Sequence, residues 1–137
     1  MAISFSKINS FVENLAEKLI DLSGNGLTLA LTNTAHTATW DELADLTLCT
    51  GHANTSSKVI TVTTSAQTAG VYKLVLADLT ITMSGAIGPF RYIYLYDDNS
   101  TGDKLIGYYD YGSEISFASG EAFVMDFDAT NGVLTIT

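Results

Sequence analysis

The chain has few of the residues that cross-link, kink or charge a protein. Its 137 residues include one cysteine, Cys49, and one proline, Pro89. A single cysteine excludes an internal disulfide framework, and with it the class of disulfide-stapled secreted modules. Charged residues make up only 15% of the chain, against a usual share of about 25%. No run approaches the roughly 20 apolar residues of a membrane-spanning helix.

Basic residues are the scarcest charged group. Six Lys and Arg stand against fifteen Asp and Glu, for a net charge of −9. This balance argues against a nucleic-acid backbone or an anionic membrane as the main partner. Charges between Lys7 and Asp21 interrupt any signal-peptide core, which predicts synthesis in a reducing cytoplasm. The hydrophobic share of 47% excludes disorder, and the length predicts a single domain over residues 1–137.

The N-terminal segment has the period of an amphipathic helix. Apolar residues recur there at steps of three and four, and Ser23 to Gly26 supply a stop signal. The spacing predicts a helix over residues 6–21. The apolar stripe consists of Ile8, Phe11, Val12, Leu15, Leu19 and Leu22.

From Leu27 onward the pattern changes to period two, and a β-rich body is predicted over residues 27–137. Leu27 to Thr32 alternates as a half-buried strand does, and the spacing from Thr39 to Glu42 predicts a capped helical turn over 40–46. Short polar turns favour antiparallel hairpins. The predicted fold is mainly β, an antiparallel β-sandwich or β-barrel of about seven strands with one N-terminal amphipathic helix. The other six predicted strands span residues 59–64, 71–83, 90–96, 104–111, 122–128 and 133–136.

Two groups of residues have metal-ligating chemistry. His36, Cys49 and His52 are ligands that zinc prefers, but a structural zinc site needs a fourth, so loop histidines and a buried thiol are the favoured interpretation. Asp97 to Gly102 resembles the start of a calcium loop, yet Tyr108 stands where the bidentate Glu would be. A polar hairpin turn explains the same residues. No metal and no cofactor is predicted.

The sequence favours a binding protein over an enzyme. It has no Gly-x-Ser-x-Gly motif and no complete phosphate-binding glycine loop. Asp126 and Asp128 share one face of a predicted strand, as a glycosidase pair would, but so do the carboxylates of any solvated strand. A β-sandwich hydrolase that uses these two residues is therefore a minor alternative.

Aromatic residues provide the candidate contact surface. Tyr92, Tyr94 and Tyr96 share one face of a predicted strand, where they either line a sugar or protein interface or form the half-buried face of a sheet. The preceding loop, Gly85 to Phe90, is apolar and either packs into the core or contacts a partner. The predicted protein-contact residues are Ile87, Pro89, Phe90, Tyr92, Tyr94 and Tyr96.

Several sequence blocks, taken together, resemble small structural proteins of tailed-bacteriophage virions. The similarity covers nearly the whole chain, and the best-fitting members are capsid decoration, or cement, proteins. The resemblance begins with a predicted helix ending near Asp21 and Leu22. The blocks that follow run from Leu27 to Ala35, Asp41 to Asp45, Ala86 to Tyr92, Leu105 to Gly112 and Gly120 to Gly132.

The resemblance implies a non-enzymatic virion protein. Such a protein is expected to bind the outside of the capsid as a homotrimer, to contact the major capsid protein and to stabilise its subunit contacts. It would reach the virion after synthesis in the host cytoplasm. The alternative within the same virion class is a tail, baseplate or head-fibre component that binds host glycans through the tyrosines.

Overall fold

The protein is built almost entirely from antiparallel strands, as its period-two sequence predicts. The computed structural model describes residues 4–24 and 26–137. A helix, α1, spans Phe11–Ala16, and a 3-10 turn spans Leu43–Asp45. The mainly β, antiparallel prediction is confirmed. The strands are β1 (Phe5–Lys7), β2 (Leu27–Thr32), β3 (Val62–Thr68), β4 (Val71–Leu76), β5 (Leu79–Thr82), β6 (Ile87–Asp97), β7 (Lys104–Phe117), β8 (Ala122–Met125) and β9 (Leu134–Ile136).

The largest sheet combines strands that lie far apart in the sequence. Its strand order is β1-β7-β6-β2, and all neighbours are antiparallel. Thr28, Ala30 and Thr32 of β2 lie opposite Tyr96, Tyr94 and Tyr92 of β6. Because side chains alternate along a strand, the tyrosines share one face of the sheet. Leu27, Leu29 and Leu31 share the other face with Ile93 and Leu95, all fully buried.

Two smaller sheets complete the β-rich body. One has the order β3-β4-β9, and the other is the pair β5-β8. The sequence pattern predicts β4 and β5 as one strand over 71–83, and that prediction is wrong. The chain breaks at Ala77 and Asp78, where the Asp78 carboxylate accepts the backbone N–H of Phe127 at 2.9 Å. The break sends the two halves into different sheets.

The other predicted strands lie where the sequence places them, but all of them except β2 differ from the prediction at one end or both. β3 begins three residues later than predicted, while β6 and β7 extend well beyond the predicted limits. β8 ends at Met125 because Phe127 turns its N–H towards Asp78. β2 has the predicted bounds, but all six of its residues are buried, so it is not half-exposed. Both faces of this strand are covered in the folded chain.

The predicted helix over 6–21 is wrong at its start. Residues 5–7 form β1 instead, which pairs with Gly107 to Tyr109 of β7. The backbone N–H of Ile8 then donates to the Ile106 carbonyl oxygen at 3.0 Å. Pairing with a long strand satisfies these backbone groups before the helix begins at Phe11.

The helix also ends earlier than predicted, at Ala16. Lys18 has a φ of 65°. The N–H groups of Lys18 and Leu19 donate back to the carbonyl oxygens of Leu15 (3.3 Å) and Asn14 (2.8 Å). This is the hydrogen-bond pattern of a Schellman turn, with lysine where glycine is usual. Two residues of the predicted stripe are exposed: Leu19, which lies beyond the helix, and Val12, which lies within it.

The predicted turn over 40–46 is confirmed as the 3-10 turn. Its cap differs from the prediction, since Glu42 and Asp45 form the capping box and Thr39 does not. The Asp45 carboxylate accepts the N–H of Glu42 at 3.0 Å. Among residues 4–24 and 26–137, no helix is long and apolar enough to cross a membrane.

Candidate functional site

The tyrosine face of the large sheet is covered by a loop over residues 33–47, which we call the strap. The strap leaves β2 after Thr32 and returns beside it, where the N–H of Cys49 donates to the Leu31 carbonyl oxygen at 2.9 Å. Thr32 also donates its hydroxyl to the Thr47 carbonyl oxygen. The strap is thus closed at its base by hydrogen bonds to one strand.

Aromatic rings of the strap pack on the tyrosines of the sheet. The His36 ring stacks on Tyr108 with centroids 4.6 Å apart, and Trp40 lies 6.0 Å from Tyr94. Tyr94 also stacks on Tyr108 at 5.2 Å. As a result Tyr94 is completely buried, while Tyr108, His36 and Trp40 are half-buried. The strap therefore converts a sheet face into part of the core.

The buried hydroxyl of Tyr94 has a hydrogen-bond partner in the strap. It lies 2.9 Å from Nδ1 of His36. Burial lowers the pKa of His36 and raises the pKa of Tyr94, so the neutral imidazole and the neutral phenol are both favoured near pH 7. The pair satisfies two polar groups that would otherwise be costly to bury.

A charged cluster holds the far end of the strap. The Lys104 ammonium lies 2.6 Å from an Asp41 carboxylate oxygen and 2.7 Å from one of Glu42. Asp41 also accepts hydrogen bonds from the Ser10 hydroxyl (2.7 Å) and the Asn14 amide (2.6 Å). Burial acts to raise the pKa of Asp41, but the hydrogen bonds outweigh it and the pKa lies below its usual value. One carboxylate thus ties the strap to α1 and β7.

Replacing Lys104 with methionine is expected to lower the free energy of unfolding by about 2 kcal/mol at neutral pH, because it leaves two partly buried carboxylates without their cation. The loss should shrink in acid. Asp41 has a lowered pKa, so its contribution is present above the unfolded value of 3.8 and disappears as the pH falls through the folded pKa. Urea unfolding at neutral and acid pH measures both effects.

Lys7→Met is the matched control for Lys104→Met, because Lys7 is exposed and forms no ion pair among the described residues. It should change the free energy of unfolding by about 0.5 kcal/mol or less. Equal effects of the two substitutions would contradict the role assigned to Lys104.

A second ion pair lies at the open edge of the tyrosine face. Arg91 donates from Nε and Nη2 to the two carboxylate oxygens of Asp110, at 2.7 and 3.0 Å. The guanidinium carbon also lies 5.4 Å from the ring centroid of Tyr92. Both charged side chains are about 40% exposed. The pair fixes a planar cation on the surface beside the one half-buried tyrosine of β6.

The six predicted contact residues do not form one exposed surface. Ile87, Phe90 and Tyr94 are buried in the core and Tyr96 is only 8% exposed. The predicted apolar loop over Gly85 to Phe90 is wrong from Ile87 onward, where β6 begins and packs inward. Phe90 meets Phe117 and Phe123 with centroids 6.1 and 5.9 Å apart. The remaining two, exposed Pro89 and half-buried Tyr92, are the members of the set that offer surface to a partner. Of Tyr92, Tyr94 and Tyr96, Tyr92 is the one whose ring a sugar could contact.

The three candidate zinc ligands have other roles. The Cys49 thiol is buried, which raises its pKa. The His52 Nε2 accepts the backbone N–H of Leu31 at 3.2 Å, and the His36 Nδ1 is engaged with Tyr94. Within the described part of the chain, no three His, Cys, Asp or Glu side chains come together as a metal site.

The buried imidazole of His52 predicts a pH-dependent stability. Burial, aided by the charge of Lys58, lowers the pKa of His52 to about 4, from 6.5. Below about pH 6.5 the unfolded chain binds a proton that the folded chain does not, so stability falls as the pH drops towards 4. The expected loss between about pH 7.5 and about pH 5 is about 1 to 2 kcal/mol, measured by urea unfolding.

His52→Gln should remove most of this pH dependence, whereas His36→Gln should leave the part due to His52 intact. A slope that persists unchanged in His52→Gln would show that the titrating group lies elsewhere.

The calcium-like segment forms the hairpin turn between β6 and β7. Asp97 is buried, and its carboxylate oxygens accept the N–H groups of Asn99 (3.0 Å) and Asp21 (2.9 Å). Gly102 and Asp103 both have positive φ, and the Ser100 hydroxyl donates to the Asp97 carbonyl oxygen at 2.6 Å. The oxygens of Asp97 thus stabilise a turn, as the hairpin interpretation predicts.

The two carboxylates of the hydrolase alternative differ in their surroundings. Asp128 accepts the N–H groups of Thr130 (2.9 Å) and Asn131 (2.8 Å) and therefore shapes the turn before β9. Asp126 is exposed. Both lie on the wall of a groove of about 730 Å³. A second groove, of about 530 Å³, lies between the end of α1 and the β3-β4-β9 sheet.

Sequence reasoning missed the residues that cover and anchor the tyrosine face. Trp40, Tyr108 and Lys104 come from segments far apart in the chain, so no local spacing relates them. The one available signal was Trp40, the only tryptophan, placed in a polar segment. A large aromatic ring in such a segment indicates a loop that packs on something.

Comparisons with known proteins do not place the chain in a family. No protein-family model, no curated protein and no solved structure matches it.

Proposed function

We propose that the protein is a non-enzymatic structural protein of a tailed-bacteriophage virion, bound as a homotrimer to the outer surface of the capsid. Its partner is the major capsid protein, whose subunit contacts it stabilises. The proposal starts from the sequence blocks that resemble decoration proteins. The positions of those blocks in the fold support it.

The observation that carries the proposal is that four of the resembling blocks meet in one structural unit. Three of them contain β2, the start of β6 and part of β7, which are neighbours in the large sheet, and a fourth lies in the strap that covers this sheet. The block from Gly120 to Gly132 contains β8, which belongs to another sheet. The strap is held to β7 by Lys104 and Asp41. These four blocks therefore belong to one well-packed unit, which suits a protein that functions by binding.

The surface fits a protein that makes contacts at several places. Large apolar side chains are exposed at separate strand edges and loops, among them Val59 (48%), Val124 (57%) and Ile136 (42%). The net charge of −9 opposes unselective association between free copies. Symmetric attachment at several points allows modest individual contacts to give tight holding.

The test is the number of copies in particles of the phage whose genome encodes the chain. Quantitative mass spectrometry should find the chain in proportion to the major capsid protein, and cryo-electron microscopy should place it on the shell. Light scattering of the purified chain should give three times the 14.6-kDa chain mass. A few copies confined to the tail would overturn the assignment.

An add-back experiment tests the stabilising role. Particles assembled without the chain should release their genome at a lower temperature than complete particles. Purified chain should restore the higher temperature when it is added. Particles equally stable with and without the chain would contradict a cement function.

A further inference from the structure

The groove of about 730 Å³ lies between two sheets rather than within one. Phe5 of β1 and Tyr109 and Tyr111 of β7 form one wall, and β8 with the residues that follow it forms the other. Val124, at 57% exposed, and Tyr111, at 39%, are among the largest exposed apolar side chains of the chain. The groove is thus long, partly apolar and open to solvent.

Strand edges border the groove. β1 pairs with β7 only from Gly107 to Tyr109, although β7 continues to Phe117 with β6 on its other side. β8 pairs with β5 alone. In residues 4–24 and 26–137, therefore, no strand pairs with the second half of β7 on this side or with the outer edge of β8. Such edges present unpaired backbone groups to an incoming strand.

The outer edge of the four-residue strand β8 carries no lysine, proline or bulge that would oppose pairing. Proteins usually guard an edge with lysine, proline or a bulge, whereas the sequence of this strand is Ala-Phe-Val-Met over Ala122–Met125. The pairing of β5 with β8 is in regular register, without a bulge. An apolar edge without such a guard is a place where an extended segment can add.

The charge along the groove specifies what kind of segment fits. Asp126 and Asp128 are both exposed on its wall, and no Lys or Arg nitrogen of the described chain lies within 4 Å of either. The cation that acts on Asp128 is Lys73, whose ammonium is hydrogen-bonded to the Thr130 carbonyl oxygen. The groove therefore has apolar surface followed by two carboxylates, neither of which forms an ion pair among the described residues.

We propose that this groove binds an extended polypeptide segment of a partner, in which apolar residues alternate with Lys or Arg, by strand addition to the outer edge of β8. Main-chain hydrogen bonds to the edge give affinity, Val124 and Tyr111 contact the apolar positions, and Asp126 and Asp128 meet the cations. That the partner is the major capsid protein rests on the proposed function. The chemistry of the bound segment is inferred from the groove alone and does not rest on the proposed function.

The probe is an acetylated, amidated peptide of alternating lysine and valine, about eight residues long, the length of a strand. Titration of the ¹⁵N-labelled chain should shift the backbone amide signals of residues 111–117 and 122–128 and few others. A matched peptide of alternating glutamate and valine should not bind. Methylation of alternate backbone nitrogens in the lysine peptide should abolish binding, because strand addition needs those donors.

Two exposed substitutions test the site on the chain. Val124→Lys should weaken binding about tenfold or more by placing a cation on the edge strand, and Asp126→Asn should weaken it about threefold. Asp98→Asn removes the same charge from an exposed turn residue and should leave the affinity unchanged. Circular dichroism and the melting temperature confirm that each variant is folded.

Three results would overturn the proposal: no binding of the lysine peptide, equal binding of the N-methylated peptide, or shifts confined to another surface. A concentration-dependent dimer abolished by Val124→Lys, without peptide binding, would assign the groove to a second copy instead. These results concern the isolated chain. They are independent of the particle copy number that tests the proposed function.

Discussion

Replacing Tyr94 with alanine is expected to lower the free energy of unfolding by about 4 kcal/mol, more than any other substitution proposed for this chain. Tyr94 is completely buried, and its ring lies 5.2 Å from Tyr108 and 6.0 Å from Trp40. Truncation leaves a cavity beneath the strap and leaves the His36 nitrogen without its partner. Urea unfolding measures the loss.

Tyr94→Phe separates the ring from the hydroxyl. It keeps the packing and removes only the hydrogen bond to His36 Nδ1, so about 1 kcal/mol should be lost. Because Trp40 is the only tryptophan, its fluorescence reports the strap directly. Emission should shift to the red in folded Tyr94→Ala and stay near the wild-type position in Tyr94→Phe. A loss below about 1.5 kcal/mol for alanine would show that the strap does not depend on this ring.

Replacing Gly51 with alanine is the second change with a large expected effect, a loss of about 3 kcal/mol. Gly51 has a φ of +75°, and an added Cβ would lie 2.1 Å from the Ala86 carbonyl oxygen. The substitution combines left-handed backbone strain with a clash against backbone that cannot swing away. It should also displace the start of β6 at Ile87, since the Gly88 N–H donates to the Thr50 carbonyl oxygen at 2.9 Å.

Gly70→Ala is the matched control for the Gly51 prediction. Gly70 has a φ of +83° but nothing within 4 Å of an added Cβ, so only the backbone strain remains, about 1 kcal/mol. The difference between the melting temperatures of the two variants measures the cost of the clash between a Cβ at position 51 and the Ala86 carbonyl oxygen. Equal melting temperatures would show that the loop yields without cost.

Local patterns predict most of the β structure but not its partners. The alternation at Leu27–Thr32 predicts β2 with the right bounds, because that pattern lies within the strand itself, but it does not predict that both faces are buried. The helix prediction fails because the competing pairing of residues 5–7 lies a hundred residues away, in β7. Likewise, the Val71–Met83 run looks continuous until Asp78 meets Phe127. In both cases hydrogen bonds between residues far apart in the sequence determine where the element begins or ends.

The contact surface was the hardest part to predict. Period two places Tyr92, Tyr94 and Tyr96 on one face, which the structure confirms, but it cannot say what lies above that face. The strap buries Tyr94. The groove beside β8 lies between the large sheet and the β5-β8 pair. Both features depend on sheet arrangement, which no local spacing encodes.

The strand order of the large sheet has a consequence for how the chain is made. β2 ends at residue 32, but its neighbour β6 begins at Ile87. The strand β1 pairs with Gly107 to Tyr109 of β7. During synthesis the leucines of β2 emerge long before any strand can cover them. Pairings between such distant residues slow folding, because the intervening chain must first be closed into a loop. We therefore expect the nascent protein to be most prone to aggregation before β6 and β7 have been synthesised.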